Sequence, residues 1–189
     1  MIFREVEDRD LVVKARKGNV DAFNLLVSRW ERRVFNYLLK LLSDREDAMD
    51  LTQDVFLKAY QGLGKLDDPG RFAPWLFRIA HNEAFSLLRR FRPDQEEIHD
   101  VAPPPAGPRL LPVETALAVT AALERLSPEQ KEAVILKVYQ GFKFEEMAGI
   151  LECPVSTVKS RVYTALDLLK QTLAPTGAQA GGLRHGGET

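Results

Sequence analysis

Apolar side chains recur every three or four positions through most of this chain, and no stretch shows the strict alternation of a half-buried strand. The spacing predicts helices throughout. A short helix is expected over 10–17, closed by Gly18-Asn19. Asp21 can cap a second, in which Phe23, Leu26, Val27, Trp30, Val34, Leu38 and Leu41 share one face. Ser43 with Glu46 three residues on is a capping-box pattern for a third helix running to about Gln61, with Ala48, Leu51, Thr52, Val55 and Ala59 inward. Gly62 and Gly64 stop it, Asp67-Asp68-Pro69-Gly70 signals a turn, and a fourth helix is expected over 72–91.

A second helical block follows. It begins with a helix over 113–126. Ser127-Pro128-Glu129-Gln130 then supplies a cap, a proline at the first helical position and a glutamine at the third. That helix should end at Gln140-Gly141, followed by a short helix over 144–151, a turn at Glu152-Cys153-Pro154, and a longer helix to Leu173. The expected fold is all-α: two small helical domains, 1–92 and 113–173, the second containing a helix-turn-helix. Between them, residues 93–112 hold six of the eleven prolines, which block helix and remove donors, so a semi-extended linker is expected. Stretched at about 3.3 Å per residue it would reach about 66 Å. The tail, 174–189, has five glycines and little to bury, and is expected to be disordered.

Composition narrows the class. Apolar residues are 45% and charged residues 28% of the 189, the balance of a soluble globular protein. No apolar run is long enough to span a bilayer, and the charged start of the chain does not resemble a secretory signal, so a cytoplasmic location is expected. The single cysteine, Cys153, excludes an internal disulfide and any paired-cysteine metal site. The formal net charge of −1 hides a contrast. Residues 44–54 carry five acids against Arg45; residues 71–92 carry five arginines against Glu83.

That contrast carries the candidate chemistry. Asp47, Asp50 and Asp54 fall on one helix face, which suits a basic protein surface. Arg78, Asn82, Phe85 and Arg89 form a basic stripe with an amide and an aromatic, which suits single-stranded DNA. On charge alone, two ordinary solvated faces explain the pattern equally well. In the last helix, Ser156, Thr157, Lys159, Ser160, Arg161, Tyr163 and Thr164 lie on or beside the face opposite Val155, Val158, Val162, Ala165 and Leu169. Small hydroxyls permit close approach to a duplex, and Lys159 and Arg161 can reach phosphates or guanine edges. Enzyme readings find little support: His81-Asn82-Glu83 has half of a zinc-deaminase signature without its cysteine pair, and no phosphate-binding loop or nucleophile elbow is present. No cofactor and no metal site are expected.

Four stretches taken in order resemble the extracytoplasmic-function (ECF) alternative sigma factors of bacterial RNA polymerase. They are Ala22-Phe23-Asn24-Leu25-Leu26-Val27, the run from Asp50 to Tyr60, Trp75-Leu76-Phe77-Arg78-Ile79-Ala80-His81-Asn82, and the run from Cys153 to Arg161. The resemblance implies roles. Asp47, Asp50, Gln53 and Asp54, with Phe56, Leu57 and Tyr60, match the helix that binds the clamp coiled coil of the polymerase's largest subunit. Lys65 to Arg71 match the loop that captures an unstacked base. Trp75, Arg78, Asn82, Arg89 and Arg90 match the helix facing the −10 element. Ser156, Lys159, Ser160, Arg161, Tyr163 and Thr164 match the −35-facing helix, and the domain that carries them would also meet the polymerase flap. Partners implied are core RNA polymerase, promoter DNA and an anti-sigma factor, often membrane-anchored in this family.

Three positions depart from the family pattern. Met49 stands where an acid is usual, which reduces the core-binding charge. Glu152 replaces a common glycine in the helix turn, which implies a locally different turn. Thr164 stands where many members carry a basic residue, which implies fewer −35 contacts or a different sequence read. Two rival classes stay open on sequence: a helix-turn-helix regulator that binds duplex DNA without polymerase, and a protein-binding helical adaptor.

Overall fold

The computed structural model describes residues 6–91 and 113–173, with side chains described at 6–90 and 118–173. The linker and tail expectations lie outside the described residues. Every regular element described is helical: α1 (Asp8–Arg16), α2 (Val20–Leu42), α3 (Arg45–Gly62), α4 (Phe72–Phe91), α5 (Val113–Leu123), α6 (Pro128–Val134), α7 (Phe144–Ile150) and α8 (Val155–Leu173). Two 3-10 turns, Leu63–Lys65 and Pro69–Arg71, join α3 to α4, and a π-helical turn, Ile135–Tyr139, extends α6. No described helix is long and apolar enough to cross a membrane.

Two caps differ from the sequence expectation. The cap of α2 is Asn19, whose Oδ1 accepts from Ala22 N at 2.9 Å; Asp21 already lies inside the first turn, where its charge suits the helix dipole. The cap of α3 is Asp44, accepting from Asp47 N at 2.9 Å. Ser43 instead closes α2 in the left-handed region at φ 60°. Its hydroxyl is thereby freed to bond residues of the second block. The helix expected over 113–126 stops at Leu123, in a tight turn before Ser127. The capping box at Ser127 forms as expected: its Oγ accepts from Gln130 N at 3.2 Å, and Gln130 Oε1 accepts from Ser127 N at 3.1 Å.

The inward positions read from periodicity are largely those that are buried. Leu26, Val34, Leu38, Leu41, Ala48, Leu51, Val55 and Ala59 pack between α2 and α3. Tyr37 and Phe77 are also wholly buried, their rings 5.3 Å apart and edge-on. Trp30 is half-buried, and its Nε1 donates to Asp8 Oδ2 at 2.8 Å, tying α1 to α2. Thr52, expected inward, is half-buried and returns its hydroxyl to Ala48 O.

The two blocks are packed together, and their core is continuous. Ile135, Leu136, Phe142, Met147, Ile150 and Leu151 of the second block join the same buried cluster as Phe72, Leu76, Phe77, Ala80 and Ala84 of the first. Phe77 and Phe142 meet edge-on at 5.0 Å. The π turn contributes to this contact. Gln140 N bonds Ile135 O, five residues back, and Phe142 N bonds Leu136 O; the chain then turns at Gly141, φ +77°, leaving Phe142 buried. Such a wide turn is an uncommon departure from the α-helix. A smaller cluster, Leu123, Leu126, Val134 and Ala165, belongs to the second block alone.

Candidate nucleic-acid and polymerase interface

The acidic face is on α3. Asp50 and Asp54 are exposed and Asp47 is half-buried. Partial burial and the neighbouring charges of Asp44, Asp50 and Glu46 push the Asp47 carboxyl above its usual range. The acids therefore oppose one another, an arrangement that a cationic partner would relieve. Gln53, Leu57 and Tyr60 are exposed beside them, Leu57 and Tyr60 at 56% and 51%, large apolar side chains left in solvent. Phe56 is different. It is 7% exposed and belongs to the core, so its ring is not available to a partner. Met49, the departure from the expected acid, is exposed on the same helix.

The basic face lies across two clefts that share Trp75. The first, of about 340 Å³, is lined by Lys65, Leu66, Asp67, Asp68, Arg71, Pro74, Trp75, Arg78 and Gly149. The second, of about 290 Å³, is lined by Lys58, Gly62, Lys65, Trp75, Ile79, Asn82 and Glu83. Local chemistry shapes them. Asp68 Oδ1 accepts from Gly70 N at 2.9 Å and fixes the turn before α4. The Trp75 indole packs beside Gly62, where a Cβ would make an ordinary van der Waals contact with Cζ2 at 3.5 Å. Trp75 is half-buried and tilted against Phe72 at 6.0 Å. Lys58 pairs with Glu83 at 2.5 Å, so the lone acid of the basic stripe is neutralised locally. The expected residues Lys65, Arg71, Trp75, Arg78 and Asn82 are thus gathered around neighbouring clefts, while Arg89 and Arg90 are exposed at the end of α4.

On α8, Ser156, Lys159, Ser160, Tyr163 and Thr164 are exposed, opposite buried Val158, Val162 and Ala165. Thr157 and Arg161 are half-buried. Tyr163 leans on Phe144 of α7 at 6.3 Å, and the Lys159 ammonium lies 5.6 Å from the same ring. Arg161 Nη1 is 3.9 Å from Cys153 Sγ. The free thiol lies in the helix turn, packed against the core.

Sequence reasoning missed a buried polar seam between the blocks. Glu132 of α6 is wholly buried. Its Oε1 accepts from Tyr37 Oη at 2.5 Å and lies 2.8 Å from His81 Nδ1, which donates in the matching tautomer. Its Oε2 has no hydrogen-bond partner among the described residues. An unsatisfied buried acceptor typically costs about 1–3 kcal/mol. Burial and the Glu132 charge raise the Tyr37 phenol well above its usual value near 10, so it remains a donor throughout the neutral range. Beside it, Ser43 Oγ and Lys131 Nζ both reach Glu124 Oε1, at 2.7 and 2.8 Å. Arg33 Nη2 donates to Gln140 O at 2.8 Å, capping a carbonyl left at the end of the π turn. A carboxylate directly before the apolar run Ala133-Val134-Ile135-Leu136 is the one sequence signal that could have flagged this seam.

Glu152 also has a role that sequence only half disclosed. It occupies the helix turn at φ +50°, where a glycine is favoured, and its carboxylate pairs with the Arg78 guanidinium of α4. A left-handed non-glycine residue costs roughly 1–2 kcal/mol.

These elements define a two-block, all-α protein, and comparison with known proteins specifies the class. The sigma-70 region 2 family matches residues 26–94, and the sigma-70 region 4 family matches residues 116–169. The ECF RNA polymerase sigma-E factor of Haemophilus influenzae is 33% identical over 90% of this chain and 97% of its own length. The RNA polymerase sigma-H factor of Pseudomonas aeruginosa is 28% identical over 89% and 95%. Among solved structures, the sigma factor RpoE of Bartonella quintana, in complex with the anti-sigma factor NepR, matches with TM-score 0.70 and 30% identity over 82% of this chain and 98% of that one. CnrH, in complex with the cytosolic domain of CnrY, matches with TM-score 0.68 and 29% identity over 88% and 96%. The chain belongs to the ECF sigma factors of the sigma-70 family. It is a transcription initiation factor that acts with RNA polymerase at specific promoters, not an enzyme.

Proposed function

We propose that residues 1–92 dock on core polymerase through the acidic face of α3 and hold melted −10 DNA on the basic clefts of α4. Residues 113–173 read the −35 duplex with α8 and meet the flap, and residues 93–112 pass between the two through the enzyme. The observation that carries this reading is the gathering of Lys65, Arg71, Trp75, Arg78 and Asn82 around paired clefts beside an exposed acidic helix. The rival duplex-binding regulator leaves both features without use. The protein's physical work is to stabilise separated strands. Unpairing a base costs a few kcal/mol, and stacking on an aromatic returns about 1–3 kcal/mol per base. A surface that accepts only the unpaired form shifts the equilibrium toward open DNA by its differential affinity. With few cations on either proposed DNA-facing surface, polymerase is needed to position both blocks, making two weak contacts one specific grip. The complex of RpoE with the anti-sigma factor NepR supports a like partner for this chain, which would hold it in the cytoplasm or at the membrane face.

Run-off transcription from a promoter library with purified core enzyme tests the reading. Initiation should depend on the added protein, and gel shift should show promoter binding only with core present. Binding to duplex by the isolated chain, with no effect on initiation, would favour the rival. Within that assay, Arg161→Ala should lower promoter-specific transcription while leaving polymerase binding intact; equal loss of both would remove its −35 role. Asn82→Ala should lose activity on duplex promoters and regain it on a template carrying a pre-melted −10 bubble. Absence of that recovery would mean α4 does something other than stabilise open DNA.

A further inference from the structure

We propose that the cleft between α3 and α4 selects an unpaired guanine, read by the Lys58–Glu83 ion pair. The inference rests on the assignment of α4 to melted −10 DNA and adds the base that this cleft prefers. Two ridges build the cleft. Lys58 and Gly62 lie one turn apart at the end of α3, and Trp75, Ile79 and Glu83 follow at four-residue steps along α4. Trp75 and Ile79 are half-buried and make its apolar wall, whereas Lys58 and Asn82 are exposed. At about 290 Å³ the space is at the small end of ligand pockets, in keeping with a single base.

As a strut between helices the ion pair is weak. The Lys58 side chain is 51% exposed, and exposed pairs add little to stability. Its placement suits recognition instead. A lone carboxylate in a basic stripe would repel a phosphate strand; bonded to Lys58 at 2.5 Å, Glu83 adds no net charge. Both partners keep capacity. An ammonium has three donors and a carboxylate accepts at about four sites. Their mutual bond uses one of each, and neither side chain makes another among the described residues. Guanine is the base that matches what remains. Its Watson–Crick edge sets two donors, N1–H and the 2-amino group, side by side, followed by the acceptor O6. Glu83 takes both donors and Lys58 gives to O6, a two-pronged, charge-assisted contact. Cytosine and adenine each offer a single amino group on that edge, and thymine a single imide N–H. Trp75 supplies the stacking surface that a flipped base needs. Lys65, which lines both clefts, is placed for the neighbouring phosphate. In a duplex the opposite cytosine covers this edge, so the contact forms only after the pair opens and favours open DNA.

The test uses the full chain with core polymerase, bound to bubble templates whose non-template −10 strand is randomised, and sequences the bound and unbound pools. Wild type should favour guanine at one position by about tenfold over the other bases. Inosine at that position lacks the 2-amino donor and should weaken binding by about tenfold. 7-Deazaguanine, altered only on the opposite edge, should bind as guanine does. Glu83→Gln presents one acceptor and one donor, the complement of adenine. It should move the preference at that position from guanine to adenine while the other positions keep theirs. Lys58→Met keeps the stem, loses the donor to O6 and should flatten the preference. If the pair is only a strut between α3 and α4, both variants will melt lower or bind all templates more weakly with the base preference unmoved, a result that would overturn the proposal. Absence of any guanine preference in wild type would overturn it too. The inosine comparison uses unaltered protein, so it decides the matter even where Glu83→Gln fails to fold. Base preferences in the −10 strand that respond neither to Glu83 nor to inosine sink the guanine assignment alone. No −10 preference of any kind, together with no initiation in run-off transcription, sinks the promoter role.

Discussion

Asp50→Arg combined with Asp54→Arg is expected to abolish association with core RNA polymerase, measured by co-purification or by fluorescence anisotropy of the labelled chain. Both side chains are exposed on α3, so the substitution removes no core packing. It reverses the local field: residues 44–54 change from net −4 to net zero, with two cations on the face where anions stood. Like charges brought together across an interface cost several kcal/mol, enough for a loss of about a thousandfold in affinity or more. The fold should not suffer. Asp47 already lies under the repulsion of Asp44, Asp50 and Glu46, which raises its carboxyl, and removing Asp50 relaxes that repulsion. Thermal stability equal to or above wild type, together with lost association, is the expected pair of results. Association retained in the double variant would remove the acidic face from the docking surface.

The second large effect is on stability. Phe77→Ala should destabilise the protein by about 3–5 kcal/mol, the range for truncating a buried aromatic. Phe77 is fully buried and edge-on to Tyr37 at 5.3 Å, to Trp30 at 6.3 Å and to Phe142 at 5.0 Å. It therefore joins α2, α4 and the second block at one point. Phe142→Ala removes only the partner from the second block, so it should weaken the contact between blocks while leaving the first block folded. Denaturant melts should show a lower midpoint for Phe77→Ala by every probe. Phe142→Ala should instead separate a transition reporting on the second block from that of the first. Equal, single transitions for both variants would mean the two blocks unfold as one unit whatever joins them.

The sequence by itself determined the helices, because each amphipathic stripe is a local repeat set by 3.6 residues per turn. It also determined the acid-to-base reversal between α3 and α4, which is composition along one stretch of chain. It misplaced two caps, since Asp21 against Asn19 and Ser43 against Asp44 differ by one or two residues, and the backbone angle that decides between them is not written in residue type. The resemblance assigns both Phe56 and Tyr60 to the core-binding helix, yet only Tyr60 is exposed, because what packs against α3 is decided by α2 and α4. The partners of Glu132 in the seam were decided by the tertiary structure alone. Tyr37, His81 and Glu132 are separated by 44 and 51 positions, and no local rule relates residues that meet only when two helical blocks close on each other. Burial of a carboxylate is a property of the assembled core, and so is the pairing of Glu152 with Arg78, 74 positions apart.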